Sequence, residues 1–519
     1  MTRLEVTEQK HIVAFNFPFW GHTKPLCALL SKVVRVQEIY ATLFAAADLH
    51  SKVVKEVERQ FNLPEEQLLR NRIRIVSLPG VKVPFEYDEL QSSFVLQYEK
   101  LYKEQPITVT SDSEEMYDRI TAPQLVILDH FCYNALKGIR GISGSTIPVY
   151  AWQSCAVSAL LYLFGPEELG GHGDLAAKIA AIEAEDIETR EREICKIHCK
   201  DSGQLIKVPG IPPMYDYENR PQLLSAPVSE AYVVLFQQYV HRFFNECNGF
   251  IHQSNVLFEG GALGRWQEWV GSRLSVAIGP ISPPPSLEEL EKEIGSDPIS
   301  TDVELFLNKA HDKYGPYSVV YISFGTVWWS SEPEKIWAVV DTLIEKGVPF
   351  LFSHASPDAV IPEAVSEKIS SSGLGFMSLW LPQQMILRHK ACGWFLSHCG
   401  HNSVSESLSA GVPMICWPFD ADQPMNAANV CGTHNAGYEL FEVRNGNGLR
   451  PVHRLGDKRL EGTVDAVRRE FSEIIDKSRG EDGLAKRQNA QRLGKALSET
   501  WSKSGSGWSE LKRLIASLD

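Results

Sequence analysis

A chain of 519 residues, 44% hydrophobic and 22% charged, has the composition of a well-packed globular protein and a length that suits two domains, at most three. A net charge of −14 argues against nucleic acid or an anionic membrane surface as the main partner, while leaving room for one anionic ligand at a helix N-terminus. The polar start MTRLEVTEQK has no leader pattern, and no run of about 18 apolar residues occurs, so a cytoplasmic protein without a membrane span is expected.

In chain order, His11 to Phe17 reads as an apolar strand, followed by a glycine turn and a helix from about Thr23 with Pro25 in its first turn. Leu125 to Leu128 and Val149 to Ala151 read as further buried strands. Ala176 to Lys200 is charged and helical, a cover over the first domain. Within it Cys195 and Cys199 flank His198, but no second ligand cluster follows, so the ten cysteines of the chain read as reduced thiols and no metal is expected. The stretch Ala277-Ile-Gly-Pro-Ile-Ser-Pro-Pro-Pro285 reads as a stiff extended linker. Strand runs then resume at Ser318 to Ser323, Phe350 to Phe352, Gly393 to Ser397 and Met414 to Trp417, and SELKRLIASLD closes the chain as an amphipathic helix.

Strands separated by helices imply an α/β protein with parallel, doubly wound sheets. The predicted organisation is a Rossmann-like domain over 1–276, the linker 277–285, a second Rossmann-like domain over 286–481, and a helical segment 482–519. The two domains face each other across a ligand cleft. Two strand ends carry chemistry. After Gly393 to Ser397 comes the turn His398-Cys-Gly-His401, and a helix starting near Asn402 would aim its free N–H groups at the cleft, where they suit a pyrophosphate. In the first domain, Phe17-Pro-Phe19-Trp20-Gly21-His22 places His22 at a strand-to-helix turn. Asp129 follows Leu125-Val-Ile-Leu128, and strand ends on one edge of a parallel sheet converge. A histidine whose second ring nitrogen is held by a carboxylate is a suitable base for activating a hydroxyl.

The 44 residues from Trp380 to Gln423 include Trp380-Leu-Pro-Gln383, His398-Cys-Gly400-His401-Asn402-Ser403-Val-Ser-Glu406, Gly411-Val-Pro413 and Trp417-Pro-Phe-Asp420-Ala-Asp422-Gln423. They resemble the UDP-sugar signature of family 1 glycosyltransferases, a group best known from secondary metabolism. Weaker marks at Gly21-His22, Asp129, Val208-Pro-Gly210, Gly279-Pro280 and Ser323-Phe-Gly325-Thr326 extend the resemblance over most of the chain. It implies the GT-B fold, with the last segment crossing back onto the first domain, and an inverting, metal-independent transfer from UDP-glucose or UDP-xylose to a small apolar acceptor. By this resemblance His398, Asn402 and Ser403 contact the phosphates, with Gly325, Thr326 and Gly400 beside them. Trp380 stacks on uracil, Gln383 binds its edge and Glu406 takes the ribose hydroxyls. Asp422 and Gln423 hold the sugar hydroxyls, and His22 and Asp129 are the catalytic pair.

Some residues depart from that pattern. His401 stands where plant enzymes carry tryptophan at the sugar pocket. Gln153 replaces a threonine near the sugar's 6-hydroxyl, where its bulk would favour a pentose, whereas Gln423 points to glucose. Acceptor recognition is expected from Phe19, Trp20, Phe131, Tyr133, Trp152 and Gln153, with Trp328 and Trp329 after the phosphate loop, which suits phenolic or terpenoid acceptors. Other readings compete. Ser403 and Glu406 match a helix capping box, and Asp420-Ala-Asp422 imitates a DxD metal motif. A non-catalytic nucleotide-sugar-binding protein would share the donor residues but could dispense with His22 and Asp129. A nicotinamide dehydrogenase would need a G-x-G-x-x-G turn after a strand, and Gly260-Gly-Ala-Leu-Gly264 has no convincing one before it. The expected partners are therefore a UDP-sugar and a hydroxylated apolar acceptor, bound by a monomer.

Overall fold

The computed structural model describes residues 10–61, 64–81, 86–110, 114–223, 230–281 and 298–518. Among them two fully parallel sheets dominate. The first has seven strands in the order Leu274–Ala277, Gly249–His252, Val149–Gln153, Leu125–Asp129, Lys10–Phe15, Ile39–Ala46, Ile73–Leu78. The second has six, in the order Gly375–Ser378, Phe350–Ser353, Val319–Ser323, Cys392–Ser397, Met414–Cys416, Gly437–Glu439.

Both sheets are buried on both faces, which is why their central strands are continuous apolar runs. Along Lys10–Phe15 the side chains alternate: Val13 and Phe15 enter one core with Phe94, Phe164 and Trp266, while Ile12 and Ala14 enter the other with Leu26, Leu30 and Leu43. The second sheet repeats the plan, with Tyr321 and Phe395 on one face and Ile322 and Leu396 on the other.

In each sheet the strand order reverses at one place. In the first this lies between Lys10–Phe15 and Leu125–Asp129, and in the second between Val319–Ser323 and Cys392–Ser397. Helices leave in opposite directions there, so a crevice opens beyond the carboxyl ends of the strands. The two crevices face one another.

Two segments cross between the lobes. Beyond helix Glu481–Ser498, which packs Ala490 and Leu497 against Val404 and Leu408, helix Ser506–Ala516 returns to the first lobe and inserts Leu511, Leu514 and Ile515 into its core. In the other direction, residues 201–223 dock on the second lobe. Tyr217 Oη donates to Pro451 O (2.5 Å), Gln222 Nε2 to Pro418 O (2.6 Å), and the Leu223 N–H to Asn445 Oδ1 (2.5 Å). Glu218 is buried there, 3.9 Å from Arg444 and 3.6 Å from Arg454, and both arginines bond Glu439.

Three expectations are corrected. The start of the expected linker is packed rather than free-standing: Ile278 and Ile281 are fully buried in the first core, which helix Ser506–Ala516 also enters. Ser282 to Pro285 lie outside the described residues. The helix expected from Thr23 spans Trp20–Val36, so Pro25 sits in its second turn. The cover over 176–200 is two helices, Leu175–Ala180 and Ile187–Cys199.

Candidate active site

Between the lobes lies a cavity of about 1100 Å³, larger than a single small ligand requires. All twelve predicted donor residues line it: Gly325, Thr326, Trp380, Gln383, His398, Gly400, His401, Asn402, Ser403, Glu406, Asp422 and Gln423. His22, Phe19, Trp20 and Phe131 line the opposite side.

Asp129 is the last residue of its strand and is fully buried. Its Oδ2 accepts the Nδ1–H of His22 at 2.6 Å, and its Oδ1 accepts the N–H of Phe131 at 3.1 Å. Burial alone would raise the Asp129 carboxyl, but His22, His130 and the Phe131 N–H outweigh it and hold it below the ordinary range. The aspartate therefore stays ionised and fixes the His22 tautomer with Nε2 as the free base nitrogen. The carbonyl of His22 accepts the indole N–H of Trp152 at 3.0 Å, which pins the backbone carrying the ring.

The donor side is built on backbone. Helix His401–Ser409 begins at Gly400, with no side chain capping it, so its first N–H groups are open to the cleft. Ser403 is the third residue inside the helix, which removes the capping-box reading. The His398 ring lies over the turn, and two glycines make room for it. A Cβ at Gly400 would come within 2.5 Å of His398 Nε2, and one at Gly325, whose φ is +75°, within 2.9 Å of Cε1. Burial brings His398 down to about 4, so it is neutral and offers a ring N–H.

Gln383 Nε2 donates to Glu406 Oε2 (2.7 Å) and Gln384 Nε2 to Oε1 (3.3 Å). Lys24, from the first lobe, donates to the same Oε1 at 2.7 Å. Trp380 is half exposed, and the Lys52 ammonium lies 5.1 Å from its ring centroid and 4.2 Å from that of Trp20. Asn402 joins the lobes: Nδ2 donates to Gly21 O (2.8 Å) and Oδ1 accepts from Gln253 Nε2 (2.7 Å). Gly21 O is available because Pro25, four residues on, has no N–H to give it. His401 Nε2 bonds Gln253 O at 2.6 Å. Burial raises the Asp422 carboxyl, against the pull of His401 and Asn426, and the Oε1 of Gln423 is engaged by the N–H of Phe419 at 2.9 Å.

Three predicted acceptor residues do not line the cleft. Tyr133 lies on the outside of helix Tyr133–Ser143, donating to Glu246 at 2.7 Å and stacked on Tyr239. Trp152 and Gln153 end a central strand and are fully buried behind the site. Ser154 and Cys155, just past the strand end, reach the cleft instead, and the Ser154 hydroxyl has no protein partner. Gln153 therefore does not line the cleft. The apolar wall is Phe19, Phe131, Leu160, Leu163, Phe164 and Phe236, with Phe131 and Phe236 rings 4.8 Å apart and Phe131 5.8 Å from His22. The apolar run Ala159–Phe164 in helix Val157–Phe164 was the available sequence signal for part of it. Trp328 and Trp329 line the cavity as expected.

Among the described residues no group of three or more His, Cys, Asp or Glu side chains is placed to hold a metal ion, and no helix is long and apolar enough to cross a membrane.

The two facing sheets define a GT-B architecture, shared over nearly the whole chain with solved plant enzymes. The structure of Phytolacca americana UGT2 complexed with UDP-2fluoro-glucose and pterostilbene superposes at a TM-score of 0.67, with 20% identity, over 98% of this chain and 99% of that one. A Siraitia grosvenorii UGT transferase in complex with UDP gives 0.67 at 21% identity, over 98% and 100%. The sequence model described as UDP-glucoronosyl and UDP-glucosyl transferase matches residues 170–444, and the chain belongs to this family, the family 1 UDP-glycosyltransferases. The UDP-glycosyltransferase eriJ of Hericium erinaceus is 28% identical over 91% of each chain. Linamarin synthase 1 of Manihot esculenta is 42% identical over 25% of this chain and 27% of its own. The chain is thus a UDP-sugar-dependent glycosyltransferase.

Proposed function

We propose that this enzyme transfers glucose from UDP-glucose, with inversion and without a metal, to a hydroxyl on a small, largely apolar acceptor such as a phenol or terpenoid. The observation that carries the reading is the 2.6 Å bond between His22 and Asp129, set at the reversal point of the first sheet and facing the glycine-lined helix end of the second. His22 Nε2 takes the acceptor's proton as the oxygen bonds to the anomeric carbon. The bond from that carbon to the β-phosphate oxygen breaks, and its electron pair leaves with UDP. Asp129 stabilises the imidazolium, and the N–H groups at Asn402 and Ser403 with the His398 ring stabilise the diphosphate. Displacement from the face opposite an α-linked donor gives a β-glycoside. Asp422, Gln423 and Ser154 line the cleft where the sugar would lie, and polar residues there suit a hexose. The wall from Phe19 to Phe236 suits a flat apolar acceptor skeleton held beside the base.

The test is an assay with UDP-glucose and UDP-xylose against phenolic and terpenoid alcohols, in EDTA, with His22→Ala in parallel. Expected is a β-glucoside identified by mass and anomeric coupling, made faster than any xyloside and absent from the variant. A need for added metal, an α-anomer, or undiminished turnover by the variant would each overturn the corresponding part. UDP binding with no product from any acceptor would favour a nucleotide-sugar-binding protein.

A further inference from the structure

The Lys24 ammonium has no place in the scheme above, yet it touches the donor site directly. It lies on helix Trp20–Val36, two residues after His22, and crosses the cleft to the carboxylate assigned to the ribose. With Gln383 and Gln384 it brings three donors onto Glu406. A carboxylate offers about four lone-pair positions, so a ribose diol has to compete for this one. Lys24 is also the largest of the attractions that hold the Glu406 carboxyl below its ordinary range against burial.

The backbone around Lys24 is anchored. Asn402 Nδ2 holds Gly21 O, and Lys24, Pro25, Gln253, Asn402, Ser405 and Glu406 line one small hollow between the two helices. From Glu406 back to Asn402 is four residues, about 6 Å along the helix axis. A lysine stem of four carbons spans that distance with its Cα fixed. The ammonium can therefore swing between the carboxylate and the helix end where the diphosphate is assigned.

We propose that Lys24 is a positioning residue for the donor: it pairs with Glu406 in the free enzyme and passes to the diphosphate when the ribose takes the carboxylate. The proposal rests on the assignment of Glu406 to the ribose and of the Asn402 helix end to the phosphates. Donor binding is then an exchange of ion pairs. A nucleotide with its diphosphate recovers the lost contact, whereas a nucleoside breaks the pair and receives nothing back. Lys24 thus makes the enzyme select for the diphosphate, beyond whatever the helix end contributes.

Calorimetric titration of UDP and uridine into the wild type, Lys24→Met and Lys24→Arg tests this, because the two ligands respond in opposite directions. Lys24→Met is expected to weaken UDP by about tenfold and to tighten uridine by roughly two- to threefold. Lys24→Arg keeps UDP near the wild-type affinity, and in turnover Lys24→Met raises the donor KM more than it lowers kcat. Should the methionine variant fail to fold, the wild type supplies a second readout: added NaCl screens the ion pair, so uridine affinity rises while UDP affinity falls. Parallel shifts for both ligands, in the variant or with salt, would overturn this proposal alone. A wild type that binds no UDP would overturn the donor-site assignment, and this proposal with it.

Discussion

The two lobes are wound alike, yet they put different materials at their reversal points. The second lobe offers backbone: a helix end starting at a glycine, a turn kept open by Gly325 and Gly400, and a neutral histidine ring seated in the gap. The first lobe offers side chains: a histidine and an aspartate held at 2.6 Å, and an aromatic wall. A nucleotide diphosphate is the same in every turnover and can be met by main-chain N–H groups at fixed positions. A proton to be removed, and an acceptor skeleton to be recognised, need particular side chains.

The sharpest way to break this contrast is Asp129→Asn. It keeps the shape but removes the charge that fixes the His22 tautomer, and kcat should fall on the order of 10³-fold while the donor KM stays within about twofold. A matching change in donor KM would show that the lobes are not divided in this way. On the other side, Gly400→Ala drives a Cβ into the His398 ring. It should cost about 10²-fold in kcat/KM for the donor, with isothermal titration showing the loss in UDP affinity. A wall made of side chains should be retunable, so Phe236→Ala should raise the KM of a bulky acceptor roughly tenfold and leave that of a small phenol nearly unchanged.

The smallest effect expected is a pH dependence. Burial raises the Asp422 carboxyl, so it takes up its proton at a higher pH than an ordinary aspartate, near 4. With Asp422 holding the sugar hydroxyls as proposed, the donor KM should climb a few-fold as pH falls and this acceptor is lost early, a rise that Asp422→Asn, already uncharged, should lack.

The same contrast explains what could be read before the structure was known. Backbone sites constrain their sequence: only glycine fits at Gly325 with φ at +75° and a ring against it, so the donor turn leaves a mark. An apolar wall leaves almost none, since many apolar residues would serve, and Leu160, Leu163 and Phe236 look like ordinary core. The misplacement of Trp152 and Gln153 has a geometric cause. In a parallel sheet the last strand residues still belong to the core, and it is the residues just beyond them that face the crevice. Asp129 is buried while Phe131, two residues later, lines the cavity. Six strands of the two large sheets were not among those expected: Ile39–Ala46, Ile73–Leu78, Gly249–His252, Leu274–Ala277, Gly375–Ser378 and Gly437–Glu439, of which the last two are short edge strands that start with glycine. No local pattern announces that Lys24 or Glu218 meets a partner hundreds of residues away.

The reciprocal crossings bear on how the chain matures as it leaves the ribosome. Glu218 emerges more than two hundred residues before Arg444 and Arg454, and the first core lacks Leu511, Leu514 and Ile515 until long after the rest of its residues are made. Domains ordinarily complete themselves in order of synthesis. Here neither lobe does so alone: the first waits for helix Ser506–Ala516, which is translated after the second lobe, and segment 201–223 waits for the second lobe on which it docks. A nascent first lobe therefore waits with an uncapped apolar face and an unpaired carboxylate, and truncation near the C-terminus should expose the first half of the chain to proteolysis as much as the second.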